Sequence, residues 1–279
     1  RREAEEERAR QEAVDRSRRE AEEERARQEA VDRSRREAEE ERSRRAALSK
    51  LAALGKPSDA ALCRLFRKVG GSLEGALKRD RLNWSSKSLD AADASVVAYI
   101  VSVSGVLKGL DLDNNHIGDT GAVAIAEALR GNGVLTELHL GFNHIGDEGA
   151  KAIGEALAVN GVLKTLYLDR NNISDEGAVA IADAIRVNGV LTDLNLRDNY
   201  IRDAGAASIA EALRGNGVLK TLNLRGNNIG DEGATAIGEA LRGNAVLKSI
   251  DLEYNNLDDE GKGAIRDAVS GRVGFKLEM

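Results

Sequence analysis

Residues 134–157 read VLTELHLGFNHIGDEGAKAIGEAL, and close variants of this phrase recur along the chain with a 28-residue period. Each copy has a leucine, a second apolar residue two positions later and an asparagine five positions after the first. The first position holds Leu110, Leu138, Leu166, Leu194, Leu222 and Ile250. The asparagines are Asn115, Asn143, Asn171, Asn199, Asn227 and Asn255. Six copies without a gap predict a regular array of similar structural units.

Each copy predicts a strand, a turn, a helix and a second turn. Alternating leucines place two apolar side chains on one face of a short strand, and the asparagine amide can satisfy backbone groups in the turn that follows. Ala122, Ile125 and Leu129 then recur at helical spacing. We expect the helix N-caps to be Asp119, Asp147, Asp175, Asp203, Asp231 and Asp259. We expect Gly131, Gly215 and Gly243 to end their helices as left-handed caps.

A single unit of this length buries too little apolar surface to offset the conformational entropy of ordering its backbone. Neighbouring units must therefore share one core and pair their strands. The expected fold class is α/β, a solenoid with a parallel sheet on one side and helices on the other. Over residues 82–279 the units resemble leucine-rich repeats of the ribonuclease-inhibitor and NOD-like-receptor subtype. The resemblance implies a horseshoe with a concave sheet and convex helices, used as a scaffold or recognition module that binds a protein partner.

The two ends of the array depart from the repeat. Residues 82–109 fit a degenerate first repeat, with Trp84 in place of the second leucine. Residues 46–81 carry two short helical patterns that begin at Ser58 and Ser72, and we expect them to form an N-terminal helical cap. Trp84 and Phe66 are expected in the core. At the other end, a terminal cap strand is expected one residue out of register, with Phe275, Leu277 and Met279 on one face.

Residues 1–45 are an arginine- and glutamate-rich leader in which a 17-residue unit repeats. Each unit offers many oppositely charged pairs at helical i, i+4 spacing but no heptad seam. These features favour a long, charged single helix. Two interpretations remain open: a stiff spacer, or a recently duplicated low-complexity segment without a specific partner.

Side chains that flank the strand leucines are not needed for the core, so they are free to specify a partner. In three successive columns along the sheet they include aromatic and arginine residues, which are favoured at binding hot spots. Our candidate partner-binding residues are His139, Phe142, Tyr167, Arg170, Asn195, Arg197, Arg225 and Tyr254. Acidic residues at Asp111, Asp113, Asp251 and Glu253 flank the arginines at both ends.

Composition and motifs argue against several other classes of function. A net charge of −6 argues against a nucleic-acid or membrane-surface partner, and no apolar run approaches the roughly 20 residues that span a bilayer. The single cysteine, Cys63, favours a reducing compartment, so we expect a cytoplasmic protein. The three histidines lack zinc-site spacing, and residues 111–115 lack the glycine and glutamate of a calcium loop. We expect no metal, no cofactor, no small-molecule substrate and no enzymatic activity.

Two alternatives to a binding scaffold remain. Phrases such as GDEGA also resemble those of Ran GTPase-activating proteins, although the uniform repeat length and the GFKLEM ending depart from that family. The third interpretation is the sensor region of a NOD-like receptor, but no nucleotide-binding domain precedes the repeats in this sequence.

Overall fold

The computed structural model describes residues 55–279, in which helices and strands alternate. The helices are α1 (Asp59–Val69), α2 (Leu73–Leu77), α3 (Ala91–Val103), α4 (Gly118–Gly131), α5 (Asp147–Leu157), α6 (Asp175–Val187), α7 (Asp203–Gly215), α8 (Asp231–Gly243) and α9 (Asp259–Val269). The strands are β1 (Arg81–Asn83), β2 (Gly109–Asp111), β3 (Glu137–His139), β4 (Thr165–Tyr167), β5 (Asp193–Asn195), β6 (Thr221–Asn223), β7 (Ser249–Asp251) and β8 (Lys276–Glu278). The charged leader and residues 46–54 of the predicted cap lie outside the described residues.

The eight strands form one parallel sheet in chain order. Leu82 pairs with Leu110, Leu110 with Leu138, and the same register continues through Ile250. The last strand pairs Leu277 with Ile250, one residue short of the repeat spacing, so the predicted shift of the terminal strand is confirmed. The α/β solenoid expected from the repeat is therefore confirmed over the described residues.

Each helix from α3 to α8 packs against the next helix, on the other side of the shared core from the sheet. Paired strands lie about 4.8 Å apart, whereas packed helices need about 8–10 Å. The stack must therefore curve, with the strands on the inner side and the helices on the outer side. Within residues 55–279, no helix combines the length and the apolar character needed to cross a bilayer.

A first row of asparagines, which we call the turn ladder, joins consecutive repeats, and all of them but the last, Asn255, are buried. It comprises Asn115, Asn143, Asn171, Asn199, Asn227 and Asn255. Nδ2 of Asn171 donates to the carbonyls of Leu140 and Leu168, and its Oδ1 accepts from the backbone N–H of Asn143 and Ile145. The amide therefore bonds to two repeats at once, as the sequence pattern predicts for a turn.

A second row of asparagines, the return ladder, lies where each helix leads back to the next strand. Its position shows that our prediction of left-handed caps at Gly131, Gly215 and Gly243 is wrong. The three glycines are the last residues of α4, α7 and α8, and none has a positive φ. An asparagine in extended conformation follows each of them instead. The ladder comprises Asn132, Asn160, Asn188, Asn216 and Asn244, each of which donates to a carbonyl 31 residues earlier.

Different residues stand at the two ends of the return ladder. Ser104 lies one repeat before Asn132, and its hydroxyl accepts from the N–H groups of Val106 and Leu107. Arg272 lies one repeat after Asn244, and its guanidinium donates to the carbonyls of Leu241 and Leu247. The Ser104 hydroxyl therefore takes the place of the acceptor oxygen of a ladder asparagine. The Arg272 guanidinium takes the place of its N–H donors.

The prediction that Asp119 and its equivalents are N-caps is wrong for every one of them. They lie inside the first turn of their helices. All but Asp259, which starts the last helix, accept hydrogen bonds from the helix of the next repeat. Oδ1 of Asp147 accepts from the backbone N–H of Ser174 and Gly177 at the start of α6. Asp119, Asp175, Asp203 and Asp231 accept in the same way from the following repeat. These aspartates therefore link neighbouring repeats as well as stabilising helix N-termini.

The described part of the N-terminal cap covers the first repeat. Ser58 and Ser72 are the N-caps of α1 and α2, as predicted. Trp84 is buried, and Phe66 packs against it edge-on with ring centroids 6.2 Å apart, so both contribute to the core. Lys68 of α1 donates to buried Asp93 of α3 at 2.6 Å. This ion pair anchors α1 to the first repeat.

Candidate binding surface on the sheet

The surface of the sheet opposite the helices, here the sheet face, consists of the side chains that flank the buried strand leucines and the residues that follow each strand. In β3, Leu138 is buried while Glu137 and His139 are half-buried on the other face. The same pattern repeats from β4 to β7. The sheet face carries all eight candidate residues: His139, Phe142, Tyr167, Arg170, Asn195, Arg197, Arg225 and Tyr254.

Two candidate aromatic rings stack on neighbouring strands. His139 and Tyr167 are direct partners in the register of β3 and β4, and their ring centroids lie 4.4 Å apart at an interplanar angle of 17°. Burial raises the pKa of the Tyr167 hydroxyl, and the carboxylates of Asp193 and Glu137 raise it further. The stack is thus half-buried and surrounded by negative charge.

Two further candidate pairs place an arginine over an aromatic ring. The guanidinium carbon of Arg170 lies 4.5 Å from the ring centroid of Phe142, and that of Arg225 lies 4.3 Å from the ring centroid of Tyr254. Phe142 is 42% exposed and Tyr254 is 74% exposed. Each pair comes from neighbouring repeats, and cation–π contact holds the rings in place.

The arginines of the sheet face are paired with acids, a feature that we did not predict from the sequence. Nε of Arg170 lies 2.9 Å from Oδ2 of Asp198, and Nε of Arg197 lies 3.1 Å from the same oxygen. Arg225 forms an ion pair with Glu253. The 28-residue register could have revealed the Arg170–Asp198 and Arg225–Glu253 pairs, since it makes equivalent positions neighbours. The arginine part of the surface is therefore close to neutral.

The other part of the sheet face is acidic. Burial raises the pKa of Asp113 and of Asp169, although Asp113 Oδ1 accepts from the Gly141 backbone N–H at 2.7 Å. Gly141 lies between the two carboxylates, and an added Cβ there would meet an Asp169 oxygen at 3.0 Å and an Asp113 oxygen at 3.1 Å. The missing side chain allows these two half-buried carboxylates to lie close to the Gly141 backbone.

Asp111, Asp113 and His139 are the one group among residues 55–279 with ligand atoms close enough to suit a metal ion, all within 4.8 Å of one another. We did not predict this group, because the histidine lies on the neighbouring strand. The Asp111 oxygens already accept from the Asp113 backbone N–H and from Asn83 Nδ2. His139 Nε2 lies 3.2 Å from Glu137 Oε1. The group is therefore satisfied largely by its own protein neighbours.

We predict that Asp169→Asn stabilises the fold at neutral pH. A carboxyl whose pKa is raised in the folded state binds its proton more tightly there than in the unfolded chain, so ionisation costs stability as pH rises. The asparagine keeps an acceptor for Asn195 Nδ2, which donates to Asp169 at 3.0 Å. The gain in unfolding free energy is measured by urea denaturation. It should disappear as the pH falls below the usual aspartate pKa of 3.8.

Glu137→Gln is the control of opposite sign. The hydrogen bond from Arg81 lowers the pKa of Glu137, so its ionised form stabilises the fold. This variant should be less stable than wild type at neutral pH and equal to it in acid. If the difference in stability between Asp169→Asn and wild type were the same in acid and at neutral pH, burial would not be the cause of the raised pKa of Asp169.

A further row of exposed rings follows the turn ladder, and we did not single it out from the sequence. Tyr200 is 57% exposed immediately after Asn199. His116 and His144 occupy equivalent positions and stack with centroids 5.8 Å apart. The signal was available, because the residue after each ladder asparagine from Asn115 to Asn227 is polar or aromatic. These rings extend the candidate surface towards the helix N-termini.

A family model described as Leucine Rich repeat matches residues 106–126, 131–154, 159–182, 187–210, 215–238 and 243–265. The chain is similar to the solved structure of leiomodin-1 actin-binding site 2, with 24% identity, a TM-score of 0.46, and coverage of 54% of this chain and 87% of that chain. It is also similar to the tropomodulin C-terminal domain from Caenorhabditis elegans, with 16% identity, a TM-score of 0.40, and coverage of 44% of this chain and 75% of that chain. At these scores the two structures carry no inference about a partner. No curated protein sequence matches the chain. The matched segments span half of the sequence and fall on successive 28-residue repeats, and the chain belongs to the leucine-rich-repeat family.

Proposed function

We propose that this protein is a non-catalytic recognition module that binds a protein partner on the sheet face. The observation that carries the proposal is the pair of exposed rings, Phe142 and Tyr254, each held beneath an arginine from a neighbouring repeat. Neither ring is needed for the core, and each already has a cation–π partner within the chain. Ordered aromatic and arginine side chains lose little conformational entropy on binding and are frequent hot spots.

The charge distribution supports a partner with a mixed surface. Phe142 and Tyr254 offer apolar contact, whereas the half-buried carboxylates of Asp113 and Asp169 offer negative charge to cationic side chains of the partner. Arg170 and Arg197 share Asp198, so a partner carboxylate would have to compete with it. We therefore infer that the acidic half orients the partner and the aromatic half supplies most of the affinity.

We also propose a repeat subtype, a cellular location and a role for each segment of the chain. A strand and a full helix in each 28-residue unit support the ribonuclease-inhibitor and NOD-like-receptor subtype. We place the protein in the cytoplasm, with residues 1–45 as a charged leader, 46–81 as a cap and 82–279 as the repeat domain. The net charge of −6 supports a protein partner over nucleic acid or an anionic membrane.

Affinity capture with the full chain tests the proposal. We expect Phe142→Ala combined with Tyr254→Ala to abolish capture of a partner that the wild type retains, with a nearly unchanged thermal midpoint because both rings are exposed. The matched control is Val179→Ala combined with Arg186→Ala on the exposed side of α6, which should capture the same partner fully. A partner retained by the sheet-face variant, or lost from the control alone, would place the binding site elsewhere.

GTPase activation is the second candidate function, carried by the resemblance of the GDEGA phrases. An activator of that class supplies groups that stabilise charge on a transferred phosphate. Arg170, Arg197 and Arg225 of the sheet face are already paired with acids. A hydrolysis assay with Ran-type GTPases separates the two functions, because a recognition module leaves the rate of GTP hydrolysis unchanged.

A further inference from the structure

Seven short segments lead from the helices α3 to α9 back to the next strand, and they form one rim of the solenoid, here the return rim. They are residues 104–108, 132–136, 158–164, 188–192, 216–220, 244–248 and 270–275. None of these segments contains an aspartate or a glutamate, although the whole chain has 47 acidic residues and a net charge of −6. The return rim therefore carries no negatively charged side chain.

A valine recurs in every one of these segments, and we call these residues the valine row. Its structural role is a backbone one, since the N–H of Val162 donates to Asn160 Oδ1 at 3.0 Å and the same bond recurs in the next three segments. The valine side chains are half-buried or exposed, and none packs against the core of residues 55–279. A backbone hydrogen bond does not require an apolar side chain, so the fold does not explain the row. Its members are Val106, Val134, Val162, Val190, Val218, Val246 and Val273.

The valine row is continuous, because consecutive segments are in direct contact. Nδ2 of Asn188 donates to the carbonyl of Asn160 at 3.1 Å, and Nδ2 of Asn216 donates to the carbonyl of Asn188 at 3.3 Å. Each valine therefore lies one repeat from the next along the rim. A contiguous row of partly exposed apolar side chains is typical of a surface that contacts another molecule.

Exposed lysines flank the valine row. Lys108, Lys164, Lys220 and Lys248 each follow a valine by two positions, and none of their side chains forms an ion pair within the part of the chain that the structure describes. In two other segments threonine stands at this position, and its hydroxyl donates to the carbonyl of the preceding lysine at 3.1 Å. The fold thus uses the lysine backbone and leaves the ammonium groups available.

The rim ends at a shallow cavity of about 200 Å³ in the last repeat. Its lining includes Leu247, Lys248, Arg272, Val273 and Phe275. The guanidinium carbon of Arg272 lies 4.2 Å from the ring centroid of Phe275, and Val273 is fully exposed. Two cationic and three apolar side chains therefore meet in one concave place, which suits an apolar side chain next to a carboxylate.

We propose that the return rim binds an acidic segment of another protein, whose apolar side chains cover the valine row and whose carboxylates pair with the lysines. The apolar row supplies contact area, and the lysines supply orientation and selectivity for negative charge. The return rim of a second copy would bring lysine against lysine. A lipid surface is disfavoured, because interfacial binding uses long or aromatic side chains that reach below the headgroups. The inference does not depend on the partner proposed for the sheet face.

Fluorescence anisotropy with the full chain and a labelled peptide tests the proposal. The probe is a helical peptide of about 14 residues with leucines on one face and glutamates on the other. We expect it to bind at low salt and to dissociate as the salt concentration rises. Two control peptides, one with lysine for each glutamate and one with serine for each leucine, should bind at least about tenfold more weakly. Equal binding of the three peptides, or no binding of the first, would overturn the proposal.

Charge reversal locates the binding site. Lys164→Glu combined with Lys220→Glu should weaken binding of the glutamate–leucine peptide by about tenfold or more, because two attractive charges become repulsive. The matched control is Lys87→Glu combined with Lys151→Glu, which changes the net charge equally at exposed lysines away from the return rim. An equal loss of binding in both variants would show a general charge effect and contradict the assignment.

The valine row has its own variant pair. Val190→Ser combined with Val218→Ser should weaken binding of the same peptide by about tenfold, with circular dichroism unchanged. Val123→Ser combined with Val179→Ser, at valines that are 41% and 39% exposed on the helical side, should leave binding unchanged. Full binding by the Val190→Ser, Val218→Ser variant would show that the valine row is not part of the site.

Three further measurements separate other occupants of the rim. Phe142→Ala combined with Tyr254→Ala should bind the peptide as the wild type does, so a loss there would assign the peptide to the sheet face instead. Vesicles containing anionic lipid should not retain the protein in sedimentation, and retention without peptide binding would assign the rim to a membrane. Self-association in analytical ultracentrifugation that the lysine reversals abolish would assign it to a second copy. Each of these three results would overturn the proposal.

Discussion

Replacing Asn171 with alanine should lower the free energy of unfolding by about 2–6 kcal/mol, the largest effect we predict for a side chain outside the apolar core. Asn171 is buried, and its Oδ1 accepts from the N–H groups of Asn143 and Ile145 at 3.0 and 2.9 Å. Both amides are buried and would lose this partner. Each unsatisfied buried group costs about 1–3 kcal/mol, and urea denaturation monitored by circular dichroism measures the sum.

The neighbouring residue is the control for this prediction. Asn172 has the same side chain but is exposed. Asn172→Ala should shift the urea midpoint little, because surface substitutions usually change stability by less than about 0.5 kcal/mol. If Asn171→Ala and Asn172→Ala had equal stabilities, the turn ladder would not be a main source of cohesion between repeats.

Gly154→Ala should destabilise the protein by about 1–3 kcal/mol, whereas the same change at Gly263 should stabilise it by about 0.5–1 kcal/mol. Both glycines lie inside helices, where alanine is normally preferred because it loses less backbone entropy. At Gly154 a Cβ would meet the carbonyl oxygen of Ala180 at 2.7 Å, and backbone cannot turn aside as a side chain can. At Gly263 a Cβ would meet nothing within 4 Å.

The opposite signs make this pair a direct test of how closely α5 approaches α6. Thermal unfolding of both variants under one condition is sufficient. A stabilising Gly154→Ala would mean that the two helices are further apart than the Ala180 contact requires. A destabilising Gly263→Ala would instead mean that the exposed side of α9 is covered by another part of the protein.

Much of the fold could be predicted because the repeat is long and regular. The positions of Leu110, Leu138 and Leu166 predict both strand order and register, since identical units can share a core only when equivalent residues are adjacent. The turn ladder follows from the same spacing. The one-residue shift of the last strand was also visible, because Phe275, Leu277 and Met279 alternate out of phase with the repeat.

The sequence did not show with which repeat each polar side chain forms its hydrogen bonds. Asp147 stands where a local rule expects an N-cap, but its partners lie 27 and 30 residues later, at Ser174 and Gly177. The glycine at the end of α4 similarly suggested a left-handed cap, while the following asparagine makes the bonds. On the candidate surface, the pairing of Arg170 with Asp198 followed from the 28-residue register, but Arg197 also contacts Asp198, its own neighbour in sequence, and the register does not predict that contact.

The return ladder has a direction, which determines how such a protein can lengthen or shorten. Every asparagine in it donates to a carbonyl of the preceding repeat and never of the following one, with Ser104 at one end and Arg272 at the other. A whole 28-residue repeat inserted between two interior repeats would have matching hydrogen-bond donors and acceptors on both sides. A repeat one residue shorter or longer in its helical segment would place its asparagine out of reach of the carbonyl in the preceding repeat. Copy number is therefore free to vary, while module length is not.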